Sequence, residues 1–330
     1  MQRDNQSKTN QIWLIFLIMI VISVLMSVCV AFLHLKGIEL PAVLNIVVSE
    51  SIIVVPGIIY ILINKYDFVE VLGFKKIKAG TFFMTILLSF CVMPVVSFVN
   101  VLSQFFVKNT MVQNSDMFVE GSSLLMLLAA GIIGPFCEEF MFRGIINNEL
   151  RKFSSVLMGA FASAVMFGLM HLNVNQACYA FVLGLIFGIV NYASGSIWTS
   201  MIIHMVINTQ NVLMLMLVNA ASKQVGIDMV ESAEAVRTST SSMFVMAGVY
   251  LVLAIIFGAV SVPIVVFISK HEGTYEEFKT IFTKKKAADE GEPQQSVKIF
   301  RTIPAIVAIV VCLFAIFGLE PVLKLFDFWN

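Results

Sequence analysis

About nine apolar runs, each near the length needed to reach across a lipid bilayer, divide this chain, and most of its charged residues fall in the breaks between them. A spanning helix needs roughly 20 mainly apolar residues, and in hydrocarbon every backbone polar group must be paired within the protein. By that measure spans are expected at about 12–35, 41–63, 80–107, 122–150, 155–172, 176–193, 196–218, 241–268 and 303–320. The expected fold class is all-α: a polytopic transmembrane helix bundle of about 8–9 spans with an intramembrane polar site. Composition agrees. The chain is 59% hydrophobic and 13% charged, against about 45–50% and about 25% in soluble domains. Formal net charge is +0, which alone argues neither for nor against nucleic acid. The lipid bilayer is the expected partner, and no nucleic acid is.

Lys and Arg placement tests the span count independently. Arg3, Lys8, Lys65, Lys75, Lys76, Lys78, Arg151, Lys152 and the basic residues of 269–302 all fall on one side if the N-terminus is cytoplasmic. The opposite loops carry only Lys36, Lys108, Lys223 and Arg237. That asymmetry orients a multi-pass protein of the plasma membrane with a cytoplasmic N-terminus. The first run exceeds a signal-peptide core and lacks an A-x-A cleavage site, so it reads as a retained helix. The C-terminus, Phe328-Trp329-Asn330, is no C-a-a-X signal.

Three divisions are expected: N-terminal transmembrane helices in 1–120, core helices carrying the polar motifs in 121–218, and C-terminal helices with a polar cytoplasmic loop in 219–330. The last span reads as an appendage to the core bundle. Residues 66–78 suit either a basic amphipathic helix on the inner leaflet or a solvated charged turn. Residues 284–298 are polar and aperiodic, as in a linker. Gly184-x-x-x-Gly188 is a spacing that lets helix backbones approach closely, most simply as ordinary packing. The five cysteines are scattered singly and form no C-x-x-C pair; buried small hydrophobes are the plain reading. Cys137, beside Glu138, is also a candidate thiol nucleophile.

Ionisable groups at membrane depth are costly, at least about 2.5 kcal/mol for Asp, Lys or Arg at a helix centre, and so usually mark function. Three polar clusters stand there: Glu138-Glu139-x-x-x-Arg143, Phe167-x-x-x-His171 and His204-x-x-x-Asn208. The first follows Gly131, Gly134 and Pro135, where a kink is expected. Glu139 and Arg143 are one helical turn apart and can pair. Glu138 points about 100° away and lacks that partner; such a carboxylate suits a general base or proton shuttle. A buried ion pair with a snorkelling carboxylate is the structural alternative. Phe167 and His171 share a face. His204 and Asn208 project together and offer donors to a developing oxyanion, with Asn211 extending the stripe. Measured from the cytoplasmic face, His171 lies about 24 Å in and His204 about 12 Å in, at ~1.5 Å per residue. Their convergence therefore needs tilted or partly re-entrant helices.

This ordered triplet over roughly 120–215 resembles the CPBP family, the CAAX prenyl endopeptidases and their bacterial relatives linked to bacteriocin processing and self-immunity (Abi proteins). All three motifs match, and Arg143-Gly144 is also typical. The resemblance implies an intramembrane endopeptidase, a hydrolase often labelled a metalloendopeptidase, cutting a peptide or protein, lipidated or bacteriocin-like, near the inner leaflet. It implies that Glu138 and His171 activate the attacking water, and that His204 and Asn208 hold the oxyanion. Glu139, Arg143 and Phe167 support the site. Two readings of the cofactor stay open: metal-free activation by glutamate and histidine, which we favour, or Zn²⁺ held by Glu138, His171 and His204 with water as fourth ligand. Two other functions fit the same helices, a non-catalytic membrane immunity or scaffold protein and a proton-relaying transporter. The chain lacks the paired broken helices of inverted repeats expected of the latter.

Overall fold

The apolar runs fold as helices whose ends are set by turn chemistry. In the computed structural model, which describes residues 2–119, 122–282 and 299–325, α1 (Gln2–Leu35) and α2 (Ala42–Asn64) are the first pair. α2 begins after extended Pro41 and stops at Lys65, which takes the left-handed conformation at φ 53. Asp67 then accepts a hydrogen bond from the Glu70 amide at 2.8 Å and caps the short α3 (Phe68–Leu72), which Gly73 ends at φ 73. The basic 66–78 stretch is thus one short helix and a link. The link's Phe74 stacks on Phe68 of α3, ring centroids 6.2 Å apart.

The long helices follow as α4 (Ala79–Gln104), α5 (Ser123–Leu150), α6 (Val156–Met170), α7 (Val174–Ser194) and α8 (Trp198–Gln224). An outer polar helix, α9 (Met229–Thr238), precedes α10 (Thr240–Glu272), then α11 (Tyr275–Thr280) and α12 (Ile303–Leu325). Within α5, Ala129–Ile133 and Phe140–Asn147 are wound as π-helix. The expected linker 284–298 lies outside the described residues.

Among the described residues, 7 helices are long and apolar enough to cross a membrane. The protein is an integral, multi-pass, all-helical membrane bundle. The 155–172 run read from the sequence as a span folds as a shorter apolar helix, Val156–Met170. α6 has 15 residues, about 22 Å at ~1.5 Å per residue, short of the about 30 Å hydrocarbon core.

Two apolar cores divide the bundle. One joins α1, α2, α3, α5, α6 and α12 through side chains such as Trp13, Phe16, Tyr60, Leu72, Phe142, Met166, Ala308 and Cys312. Its inclusion of α12, which lies along α1, makes the last helix part of the packed body rather than an appendage. The other core joins α4, α7, α8 and α10 around Leu88, Phe187, Ile203, Ile207 and Ile268. α7 contributes to both, and Tyr179 packs against both. The polar motifs of α5, α6 and α8 lie along this seam.

Candidate active site

α5 supplies the acids. Its π-turns free backbone carbonyls from the regular α ladder, a feature frequent at functional sites. In a membrane such carbonyls need partners from neighbouring helices. α8 provides two: Asn208 Nδ2 donates to the Ala130 carbonyl at 3.4 Å, and Thr209 Oγ1 donates to that of Gly131 at 3.2 Å. For the second π-segment, Ser163 Oγ of α6 donates to the Phe142 carbonyl at 2.6 Å. The expected kink at Gly131, Gly134 and Pro135 is thus realised as a widened helix stitched to its neighbours. Gly131 is required there: a Cβ would fall 2.7 Å from Thr209 Oγ1. At Gly144 a Cβ would meet the Leu72 side chain of α3 at 2.5 Å.

Along α5, Glu139 and Arg143 pair as their spacing predicts, Oε1 to Nη1 at 2.9 Å, both fully buried. The guanidinium stacks over Phe167 of α6 (4.1 Å to the centroid) and Phe187 of α7 (4.9 Å). A guanidinium is weakly hydrated and suits such a sandwich; an ammonium does not.

His204 of α8 enters from the other core. Its Nδ1 meets Glu139 Oε1 at 3.0 Å and its Nε2 lies 3.4 Å from Glu138 Oε2. Because Glu139 is ion-paired and can only accept, Nδ1 carries a proton. The Nε2–Glu138 contact then holds one more, on the ring or on the carboxyl. The ring lies 5.1 Å from Phe187 and stands edge-on to Phe167 at 5.7 Å. Side-chain exposure is 0% for Glu139, 1% for Arg143 and 4% for His204, but 15% for Glu138, the one member a reacting molecule can approach. Glu138, which the helical wheel left without a partner, has one in His204.

Sequence and structure differ most at His171. It caps the C-terminus of α6, its Nδ1 lies 2.9 Å from the Phe167 carbonyl, and its ring stands 5.1 Å from that of Phe167. Since a carbonyl only accepts, Nδ1 is the donor and Nε2 is left with its lone pair. Among the described residues no ion pair joins His171 to either glutamate. Phe167 packs against both imidazoles, His171 at 5.1 Å and His204 at 5.7 Å between ring centroids. The turn after His171 is tight: Leu172 takes φ 53, and Asn173 donates to the His171 carbonyl at 2.9 Å before capping α7.

A zinc set of Glu138, His171 and His204 is not gathered in this arrangement. Among the described residues no group of three or more His, Cys, Asp or Glu side chains stands close enough to hold a metal ion. Both His204 nitrogens face carboxylates instead. Cys137 is a free, half-buried thiol beside the site.

Two residues escaped the sequence reading. Phe187 completes the aromatic box around Arg143 and His204. Glu50 of α2 brings a further carboxyl to α5: a Cβ on Gly134 would lie 3.3 Å from Glu50 Oε1. As the sole acidic residue of the 41–63 run, Glu50 was open to the same membrane-depth argument that singled out Glu138.

Residues 120–210, the stretch that builds this cluster, match the family model described as "Type II CAAX prenyl endopeptidase Rce1-like". The chain is also similar to a Bacillus subtilis (strain 168) protein named "Putative membrane peptidase YdiL", with 29% identity over 90 residues. That alignment covers 27% of this chain and 37% of the relative, so the chain spans just over a third of the length of the curated relative it matches. No solved structure matches. The match supports the family resemblance of the three motifs, and the matched segment contains all the residues from Glu138 to Asn208 described above.

Proposed function

We propose that this protein is an intramembrane endopeptidase that hydrolyses a peptide bond of a membrane-associated peptide or protein, and that Glu138 is its base. The observation that carries this reading is the clamp on His204, whose two nitrogens face Glu139 and Glu138. Nucleophile-activating groups are commonly oriented by a third, buried residue, and Glu139, fixed by Arg143, is placed to do this for His204.

In the proposed reaction Glu138 takes a proton from water as its oxygen adds to the carbonyl carbon. The family resemblance assigns His171, at the α6–α7 turn, a part in activating that water. The protonated ring of His204 donates from Nε2 to the oxyanion, and Asn208 adds an amide donor once it lets go of the Ala130 carbonyl. Glu138 then passes its proton to the amine nitrogen as the C–N bond breaks, which leaves a carboxylic acid and an amine. Exclusion of bulk water strengthens each of these contacts. No metal is required for this sequence of proton transfers.

The basic loops support a plasma-membrane orientation with the N-terminus in the cytoplasm, which sets the cut near the inner leaflet. A lipidated or bacteriocin-like substrate follows from the family resemblance. The test is a comparison of small membrane peptides, by mass spectrometry, between cells with the wild-type protein and cells with Glu138→Gln. Fragments produced only by the wild type are expected. Identical peptide sets, together with intact cellular function in the variant, would instead favour a binding or immunity role.

A further inference from the structure

Glu50 is a carboxyl on a spanning helix for which no salt bridge is found among the described residues, and its Oε2 is buried with no hydrogen-bond partner there. Leaving a buried polar atom unpaired costs about 1–3 kcal/mol, and more for a charged one. Its position is specific. α2 packs against the Gly134–Glu139 turn of α5. Glu50 lies against Gly134, and Glu138 is one turn further on the same face of that helix. The absent Cβ at Gly134 is what admits the carboxyl, since a methyl there would crowd Oε1 at 3.3 Å.

A carboxylate oxygen of this kind accepts hydrogen bonds and needs a donor. One small donor can satisfy two neighbouring carboxylates at once: a water molecule with an O–H directed at each. We infer that Glu50 is a water-positioning residue of the site, holding one O–H of the molecule whose other proton Glu138 removes. This rests on the proteolytic reading above and adds a residue from α2, outside the matched segment, to the site. The role explains why an unpaired carboxyl is kept at membrane depth, and it fixes the water's lone pair toward the substrate.

The experiment uses the full-length protein in proteoliposomes with a fluorogenic peptide derived from the fragments found above. Wild type, Glu138→Gln, Glu50→Leu and Glu50→Gln are compared for kcat and KM, with melting in detergent measured alongside. Leu keeps the bulk and removes the acceptor; Gln keeps one acceptor oxygen. Misplacing a reacting group by about 1 Å costs on the order of 100-fold. We therefore expect kcat to fall about 10- to 100-fold in Glu50→Leu and less in Glu50→Gln, with KM unchanged. Gly134→Ala, which pushes the carboxyl without altering it, should lower kcat in the same direction and decides the matter if Glu50→Leu does not fold. A Glu50→Leu protein with wild-type kcat overturns the inference alone. So does a rise in KM at constant kcat, which would make Glu50 a contact to the substrate amide. A wild type no more active than Glu138→Gln overturns the proteolytic reading, and this inference with it.

Discussion

Glu139 and His204, 65 residues apart in sequence, meet at 3.0 Å between Oε1 and Nδ1, and that contact joins the two apolar cores of the bundle. The same oxygen receives Arg143. One carboxylate thus fixes both the tautomer of the imidazole and the position of the guanidinium.

Glu139→Gln tests that dual role. The amide cannot balance Arg143, and breaking a buried pair by removing one partner costs about 3–5 kcal/mol. The amide NH₂ can also turn toward Nδ1 and reverse the tautomer. We expect a lower melting temperature in detergent and a loss of peptide cleavage of about 100-fold or more, the scale of a general acid–base contribution. Activity near wild type in a folded Glu139→Gln protein would remove His204 from the chemistry.

Arg143→Lys should not substitute. The ammonium is a compact point charge and cannot lie flat between Phe167 and Phe187 as the guanidinium does. We expect it to destabilise by about 1–3 kcal/mol, the range of a desolvated cation–π contact and a disturbed buried ion pair. Denaturation in mild detergent against the wild type measures this.

The glycines of α7 separate packing from site support. A Cβ on Gly184 would meet the Ala164 backbone at 2.9 Å and Arg143 Nη2 at 3.0 Å, whereas one on Gly188 would meet the Ala160 methyl at 2.8 Å. Gly184-x-x-x-Gly188 is therefore a helix-packing motif at one end and part of the arginine's cradle at the other. Both alanine variants should lose stability, on the order of 1–3 kcal/mol for overpacking. Only Gly184→Ala should also change how the remaining cleavage responds to Arg143 substitution, in a double-mutant cycle.

Outside the membrane, α9 offers a pH test. The hydrogen bond from Arg237 holds the Glu234 carboxyl below its ordinary range, with Lys108 adding to the effect at 3.8 Å. A depressed carboxylate stabilises above its unfolded pKa, and the contribution is lost as pH falls through the folded one. Hydrogen-exchange protection factors across Met229–Thr238 should therefore stay unchanged from neutral pH to the ordinary carboxylate range and fall only below it. Glu234→Gln should abolish that acid step.

The helices were legible because hydrophobic length is a one-dimensional property, and so was the Glu139–Arg143 pair, which lies on a single helix. Contacts between helices were not. Nothing in the spacing of His204 tells that its ring reaches α5, or that Phe187 packs beside it. The π-turns were visible only as a cluster of Gly131, Gly134 and Pro135, since residue types that widen a helix also kink one. Glu50 was readable as a costly charge, but its target on α5 depends on how α2 packs. The short α6 illustrates a limit of hydropathy: Phe153 and Leu172 extend the apolar run, while Ser155 and His171 set where the helix starts and stops.

Asn208 and Thr209 allow the last distinction, between holding the fold and holding the oxyanion. Both side chains donate to carbonyls of the first π-segment, so Asn208→Ala and Thr209→Val each leave a buried acceptor short, at about 1–3 kcal/mol. If that were their whole purpose, the two variants would behave alike, with equal loss of stability and modest, equal loss of cleavage. The Asn208 contact is the longer of the two, at 3.4 Å, and is the easier to give up when a substrate oxygen arrives. Removing a donor to a tetrahedral oxyanion lowers kcat by about 100- to 1000-fold. We expect that deficit in Asn208→Ala and not in Thr209→Val, at matched melting temperatures. Equal kcat values in the two would confine Asn208 to stitching α8 onto α5 and leave His204 as the sole oxyanion donor from that helix.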